Sequence, residues 1–193
     1  MDYLTDLPFN PKPPTVMHVD LNSCFATVEQ QANPRLRGKP IAVAAYKTGN
    51  GCILAPSVEA KRLGIKTGMR VKDGKLLCPN LIVLEPDPWK YRNVHLSLKK
   101  LLSDYTEEIH PKSIDEFVLD FEGFPAFKKG MLAVGSEIKQ RIKSEIGEWL
   151  TVSIGIAPNR FLAKTACGLK KPDGLETIDI ESYRAIYESL ALD

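Results

Sequence analysis

The sequence predicts an α+β fold, a ferredoxin-like split βαβ sheet with a small α+β module inserted after its first helix. Three observations predict it. Apolar runs of strand length alternate with stretches of helical periodicity. With residues 33–87 set aside, the remaining order is strand, helix, helix, hairpin, helix, strand. The set-aside segment carries its own hairpin, helix and strand signals.

Taken in order, residues 1–14 are acidic and proline-rich and predict a loosely held arm. Residues 15–21 (TVMHVDL) predict a strand ending in an acid, with Asn22 or Ser23 capping the helix that follows. That helix carries Phe25 and Val28 at helical spacing and stops at Asn33-Pro34. Residues 41–45 and 52–55 predict two strands of a hairpin, with Asn50-Gly51 suited to a type I′ turn. Pro56 is expected to open a helix that Gly64 ends. A short helix over 71–77 and a strand over 81–84 complete the insertion. The Pro-rich EPDPW then leads into a long amphipathic helix ending near Tyr105. A hairpin over 107–111 and 117–121 turns through Ser113-Ile114-Asp115-Glu116. A helix over 127–146, a β-branched strand over 150–156, a helix opened by Pro158-Asn159 and a short strand over 174–178 follow. A last helix starts at Asp179 or Glu181. No internal repeat or low-complexity segment is present.

At 193 residues, 44% hydrophobic and 26% charged, the chain can hold one sizeable core with a small inserted module. The net charge of +2 hides an uneven distribution. Between Asn33 and Lys75 stand ten Lys or Arg against two acids, a net of +8. Between Asp104 and Glu122 stand seven acids against Lys112. A basic lobe beside an acidic centre suits a polyanion lying across a metal site. Cys24, Cys52, Cys78 and Cys167 are scattered, with no CxxC pair and no zinc-type spacing to the histidines. They predict reduced, mostly buried thiols and a cytoplasmic setting. No signal-peptide core and no run of membrane-spanning length is found, so no membrane partner is expected.

The candidate chemistry lies in the acids at strand ends. Asp20 closes the first strand, and Asp115 and Glu116 sit at the hairpin turn. In a ferredoxin-like sheet those strands are neighbours, so three carboxylates converge. Adjacent carboxylates repel unless a cation lies between them. An all-oxygen set suits magnesium, and a pair of such ions supports in-line displacement at phosphorus. Phe25, one turn into the following helix, is either core packing or a ring beside a nucleotide sugar. Lys61 and Lys164 are placed on helices to meet a triphosphate, whereas Arg62, Lys170 and Lys171 are expected to be solvated. His18 is given no role. The sequence holds no Walker loop, no HExxH and no nucleophile elbow.

These segments resemble the Y-family, UmuC-like translesion DNA polymerases. HVDLNSCFATVE is similar to that family's first motif, and PRLRGKPIAVA and EAKRLGIKTGM to its fingers. SIDEFVLDF is similar to its catalytic hairpin, and SIGIAPNRFLAKTACGLKKPDGL to the segment closing its palm. The likeness runs from Thr15 to Ile178. It implies a palm over 15–32 and 88–178, inserted fingers over 33–87, and the start of a truncated thumb over 179–193. It implies that Asp20 and Asp115 bridge two Mg2+ ions, that Glu116 completes the ion activating the primer 3′-hydroxyl, and that the Leu21 carbonyl binds the nucleotide-side ion. Ser23 and Cys24 would offer backbone N–H groups to the triphosphate, Lys61 and Lys164 would clamp it, and Phe25 would exclude ribonucleotides. The implied partners are primer-template DNA, a deoxynucleoside triphosphate and, through regions beyond this chain, a sliding clamp. The implied function is synthesis past damaged bases, weak in a chain that ends where the family continues into its thumb. Three positions depart from the family's pattern. Val58 stands for the usual tyrosine, Lys61 for the usual arginine, and Ala55 for a frequent hydroxyl residue. A lysine binds phosphate as a point charge where an arginine forks onto it.

Two other readings stand beside this one. A non-catalytic palm and fingers remnant would act as a damaged-DNA-binding or repair-complex interaction module. A nucleotide cyclase would use a similar sheet, but the chain has no cyclase-type Gly-Gly-acid hairpin.

Overall fold

A computed structural model describes residues 12–189. The chain opens on β1 (Val16–Leu21) and α1 (Cys24–Ala32), then enters the insertion. There β2 (Ile41–Ala44), β3 (Ile53–Pro56), α2 (Val58–Arg62), α3 (Val71–Leu77) and β4 (Ile82–Leu84) follow one another. The chain returns through α4 (Pro88–Leu102), the hairpin β5 (Ile109–Pro111) and β6 (Glu116–Asp120), and α5 (Met131–Arg141). It finishes with β7 (Val152–Ala157), α6 (Arg160–Leu169), β8 (Leu175–Thr177) and α7 (Tyr183–Ser189).

Two sheets result. The larger has the order β5-β6-β1-β7-β8, and the smaller, built wholly from the insertion, has the order β3-β2-β4. β1 is central and antiparallel to both β6 and β7. That is the split βαβ arrangement expected, extended at one edge by β8, which lies parallel to β7. The mixed α+β class read from the sequence is the class observed.

The pleat of β1 divides the core. Met17, Val19 and Leu21 face a large apolar cluster that includes Leu98 and Leu102 of α4 and Val134 and Ile138 of α5. Val16 faces the other side, packing with Leu162, Ala163 and Ala166 of α6. His18 and Asp20 share that second parity. The closeness of α6 has a local cause at Gly155: a Cβ there would lie 2.0 Å from the Ala163 carbonyl oxygen and 2.2 Å from the Cys167 nitrogen. Only a glycine lets the helix backbone settle onto β7 at that point.

Side chains of α1 and the loop before β7 anchor the insertion to the larger sheet. The Gln30 amide donates to the carbonyls of Leu36 and Lys39 and to Glu59. Trp149 Nε1 donates to Gln30 Oε1 at 3.1 Å, while the Arg37 guanidinium lies over the Trp149 ring and pairs with Glu148 at 2.6 Å.

Local expectations are corrected in four places. Pro56 ends β3 instead of opening a helix; Ser57 caps α2, its Oγ accepting from the Ala60 N–H at 3.2 Å. The hairpin loop closes through the Gly51 N–H and Thr48 carbonyl, but neither Gly49 nor Asn50 has the positive φ of a type I′ turn. The long helix expected over 127–146 is three pieces: a 3₁₀ stretch Pro125–Lys129, α5, and a π-turn Ile142–Ile146, with Gly130 at φ +85° between the first two. Gly123 and Gly130 carry positive φ, which ends regular structure on either side of the 3₁₀ stretch. Ser23 is the cap of α1, yet it sits in the left-handed region (φ 50°, ψ 42°) and its side chain makes no capping bond. Residues 1–11 of the expected arm and 190–193 of the expected thumb start lie outside the described residues.

Candidate active site

The C-terminal end of β1 is the centre of the site. Asp20 lies opposite Glu116 of β6 in the antiparallel ladder, and the Leu21 N–H donates to the Asp115 carbonyl at 3.0 Å. Directly opposed residues of such a pair carry their side chains to the same face within interaction distance. The hairpin turn is held by its own serine: Ser113 Oγ donates to Asp115 Oδ1 at 2.6 Å and accepts from the Glu116 N–H at 3.1 Å.

A cavity of about 480 Å³ opens beside this strand end. Asp20, Leu21, Ser23, Cys24, Phe25, Lys61 and Asp115 all line it. Glu116 and Lys164 instead line an adjoining recess with His18, Lys112, Arg160 and Phe161. The predicted site residues therefore gather at one strand end but divide between two neighbouring hollows. Val58 and Ala55, both departures from the family pattern, line the first cavity, where neither can offer a hydrogen bond from its side chain.

Two ammonium groups pair with the acids. Lys171 Nζ lies 2.5 Å from Asp20 Oδ2, and Lys164 Nζ lies 3.1 Å from Glu116 Oε2. Burial pushes the Asp20 carboxyl above its usual range, with the Lys171 contact acting against that rise and the Asp115 and Glu116 charges adding to it. Burial holds the Lys61 ammonium below its ordinary value, and the nearby Lys171 charge adds to the depression. His18 is 2% exposed, and neither ring nitrogen has a hydrogen-bond partner. Its Nε2 lies 3.8 Å from Glu116 Oε2, and burial is the main reason its pKa falls.

Lys171, paired with Asp20, corrects the expectation of a solvated lysine; Arg62 is exposed as expected at the rim of the same cavity, and Lys170 turns away to pair with Glu176 at 2.8 Å. The loop 171–174 is held against β1 by a residue that sequence reasoning treated only as a cap. Asn22 Oδ1 accepts from the Asp173 N–H at 2.8 Å, and Asn22 Nδ2 donates to Ser153 Oγ at 2.9 Å. Lys139 of α5 grips the same loop through the Asp173 carbonyl and carboxylate. A Lys-Lys-Pro-Asp-Gly turn directly after a helix was the available signal that this loop has a fixed course.

Phe25 is half-buried on α1 and stacks on Tyr91 of α4, ring centroids 4.3 Å apart and 14° from parallel. The Tyr91 hydroxyl accepts from the Asp87 N–H at 3.0 Å and donates to Glu29 at 3.1 Å, and Lys90 closes on the same carboxylate at 2.8 Å. The Phe25 ring is thereby fixed at the cavity wall. One further group has ligand character: His18, Asp20 and Cys167 each bring a donor atom within 4.8 Å of the others, a set that could hold a metal ion.

The impB/mucB/samB family model matches residues 19–168, which takes in the second half of β1, the whole insertion, the acidic hairpin and most of α6. The chain belongs to this family. The resemblance to Y-family polymerases drawn from its motifs is borne out. The chain is 39% identical over 165 residues to DNA polymerase IV of Pelotomaculum thermopropionicum, covering 85% of this chain and 40% of the relative. It is 43% identical over 161 residues to DNA polymerase IV 1 of Bacillus subtilis, covering 83% and 38%. Among solved structures, a Y-family DNA polymerase chimera of Dbh and Dpo4 matches with a TM-score of 0.83 at 30% identity, covering 92% of this chain and 52% of that one. The insertion ternary complex of Dbh DNA polymerase matches with a TM-score of 0.82 at 31% identity over the same shares, 92% and 52%. The chain thus spans about two fifths of the length of the curated family members cited, 40% and 38%. No helix among the described residues is long and apolar enough to cross a membrane.

Proposed function

We propose that this chain carries the nucleotidyl-transfer centre of a translesion DNA polymerase, adding a deoxynucleotide to a primer opposite a template base. The observation that carries it is the end of β1, where Asp20 opposes Glu116, bonds its strand to Asp115, and draws lysine ammonium groups onto both faces of the acid cluster. In this reading residues 15–32 and 88–178 are the palm and 33–87 the fingers.

The donor set fits magnesium. Three carboxylates and the Leu21 carbonyl are all hard oxygen donors, the kind of ligand magnesium takes. Asp20, Asp115 and Glu116 would hold two ions, which would polarise the phosphoryl group and acidify the primer hydroxyl. The chain's own groups do the rest. The first-turn N–H groups of α1 receive no bond from the Ser23 side chain, whose buried Oγ lacks a partner, and Ser23, Cys24 and Phe25 line the cavity, so these N–H groups would receive the phosphates. Lys61 and Lys171 neutralise the triphosphate as it enters, Lys171 leaving Asp20 to do so. Lys164 guards Glu116 in the same way on the primer side. Phe25, braced by Tyr91, occupies the space a 2′-hydroxyl would need. The basic insertion receives the template strand through its phosphates.

Calorimetry tests the reading: magnesium-dependent, saturable binding of a deoxynucleoside triphosphate, lost in Asp20→Ala and Asp115→Ala, with slow primer extension by the unsubstituted chain. Unchanged extension in either variant overturns the assignment of the acids. Absence of nucleotide binding by the unsubstituted chain favours the interaction-module reading, for which Val58 and Ala55 in the cavity wall are the supporting observation.

A further inference from the structure

We propose that His18, Asp20 and Cys167 form a binding site for a thiophilic divalent cation of the zinc class, distinct in its donors from the all-oxygen magnesium set, and that filling it withdraws Asp20 from that set. The site stands on geometry alone; only its inhibitory consequence rests on the nucleotidyl-transfer reading.

Strand pleat and helix contact build it. His18 and Asp20, two residues apart on β1, project to the same face, and α6 covers that face. His18 lies opposite Gly155 in the β1–β7 ladder. The missing Cβ of Gly155 is what allows the backbone at Cys167 to descend onto the sheet. The thiol is thereby delivered beside the imidazole, and one donor atom from each of the three residues falls within 4.8 Å of the others.

The histidine is the observation that points to a ligand. It is 2% exposed, and both ring nitrogens lack a hydrogen-bond partner. A buried imidazole with two idle nitrogens is costly. Bond lengths of about 2.0–2.3 Å in a tetrahedral zinc site set ligand atoms about 3.3–3.8 Å apart, so the three donors need to contract by about 1 Å. A neutral imidazole, a thiolate and a carboxylate balance a dication, which suits a buried site. A water completes the coordination.

The proton and charge ledger is simple. Without metal, Cys167 is a thiol whose Sγ–H points to the Ser153 carbonyl at 3.2 Å, its pKa pushed up to about 12 by burial. On binding, the Sγ–H bond breaks, its proton leaves to solvent, and the electron pair goes to the metal. Asp20 exchanges Lys171 for the ion. Magnesium cannot take the place of the ion in this set, because a thiolate is a poor ligand for a hard cation, but the two metals share Asp20 and each therefore weakens the other.

The test is a cobalt(II) titration of the whole chain under reducing conditions, followed by zinc competition. The expected result is a near-ultraviolet thiolate-to-cobalt charge-transfer band with tetrahedral d–d bands, displaced by zinc, and weakened but never reproduced by excess magnesium. Cys52→Ser, at the exposed cysteine, keeps the band. Cys167→Ser and Asp20→Asn each abolish it; loss of a ligand weakens binding by more than the roughly 10–100-fold that loss of an outer partner costs. Should Cys167→Ser fail to fold, Asp20→Asn still decides. No band in the unsubstituted chain, or a band that survives either folded ligand variant, overturns the site. In a second arm zinc weakens magnesium-dependent nucleotide binding, and Cys167→Ser relieves the effect. A chain that binds cobalt through Cys167 but binds no nucleotide keeps this site and sinks the polymerase reading instead.

Discussion

Asn22→Ala separates the support of the site from its chemistry. Asn22 is 4% exposed and follows Leu21 directly. Its side chain bonds three partners: the Asp173 N–H at 2.8 Å, Ser153 Oγ at 2.9 Å and Thr151 Oγ1 at 3.3 Å. Alanine leaves the Asp173 N–H and the fully buried Ser153 hydroxyl without that partner. Each buried group so stranded costs about 1–3 kcal/mol, so the variant loses about 2–6 kcal/mol, and Thr151 adds little because it can turn to water. Against a typical domain stability of about 5–15 kcal/mol this is a large fraction. With a urea m-value of about 2 kcal/mol/M, the unfolding midpoint falls by about 1–3 M at constant m. Asn22→Asp recovers part of the loss, since it keeps an acceptor for Asp173. The same substitution frees the loop that presents Lys171, so nucleotide affinity measured calorimetrically in the folded variant falls by about tenfold, the effect of about 1.4 kcal/mol. A midpoint within 0.3 M of the unsubstituted chain, a change of less than about 1 kcal/mol, refutes the stability argument. Unchanged nucleotide affinity refutes the claim that Asn22 positions Lys171.

Three further outcomes are expected. Gly155→Ala drives a Cβ into the α6 backbone, 2.0 Å from the Ala163 oxygen, and costs about 3 kcal/mol or more, read as a fall in melting temperature of at least about 6 °C; a melt within 2 °C of the parent shows the helix can lift freely. Asp20→Asn stabilises the chain at neutral pH. Burial raises the folded Asp20 pKa above its unfolded value, so its favourable contribution is complete below the unfolded pKa and is lost as pH rises through the folded one. The gain from asparagine therefore shrinks as pH falls through the acidic range, and thermal melts in which the variant is less stable at pH 7 refute it. Phe25→Val opens the cavity wall and lowers the preference for deoxy- over ribonucleotide, measured as the ratio of binding constants; an unchanged ratio removes Phe25 from sugar selection.

The fold was legible because its main signals are periodic and local. The alternation in TVMHVDL, the Asn159 cap before α6 and the acid pair at the hairpin turn each map onto an observed element. The misreadings share a cause. Pro56 suits both a strand end and a helix start, and the choice fell to Ser57, whose hydroxyl found the Ala60 N–H. Over 127–146 the helical spacing is sound on both sides of Gly130, but a positive φ there breaks the axis, which periodicity cannot register. At the site, the acids declared themselves by being costly where they stand. Lys171 and Asn22 did not, because their roles depend on a loop folding back 151 residues to the end of β1, and Cys167 did not because its place depends on α6 settling onto Gly155. Composition offers no trace of such a contact.

The distribution of cost around β1 argues against a purely structural palm. Within six residues the chain holds a buried histidine with no hydrogen bond, a half-buried carboxyl raised by burial, a non-glycine residue in the left-handed region, and a hydroxyl with no partner. Each is destabilising by itself. Two of them would be relieved by a ligand of opposite character: a cation at Asp20, and an anion at the Ser23 hydroxyl and the start of α1. A nucleoside triphosphate with its divalent ions brings both charges at once, in the order the strand end offers them. A scaffold kept only for contacts with other proteins has no reason to concentrate strain where no neighbouring element needs it. The same reasoning predicts that nucleotide with magnesium stabilises the folded chain. At a nucleotide concentration 100 times its dissociation constant, with magnesium present, unfolding becomes harder by about 2.7 kcal/mol. At fixed concentrations, Asp115→Ala abolishes that increment, while the loss of the exposed Ser113 bond lowers the free chain's stability by only about 0.5–1.5 kcal/mol. A free-chain melt that falls as far as the liganded one would show that Asp115 serves the hairpin and not the ion.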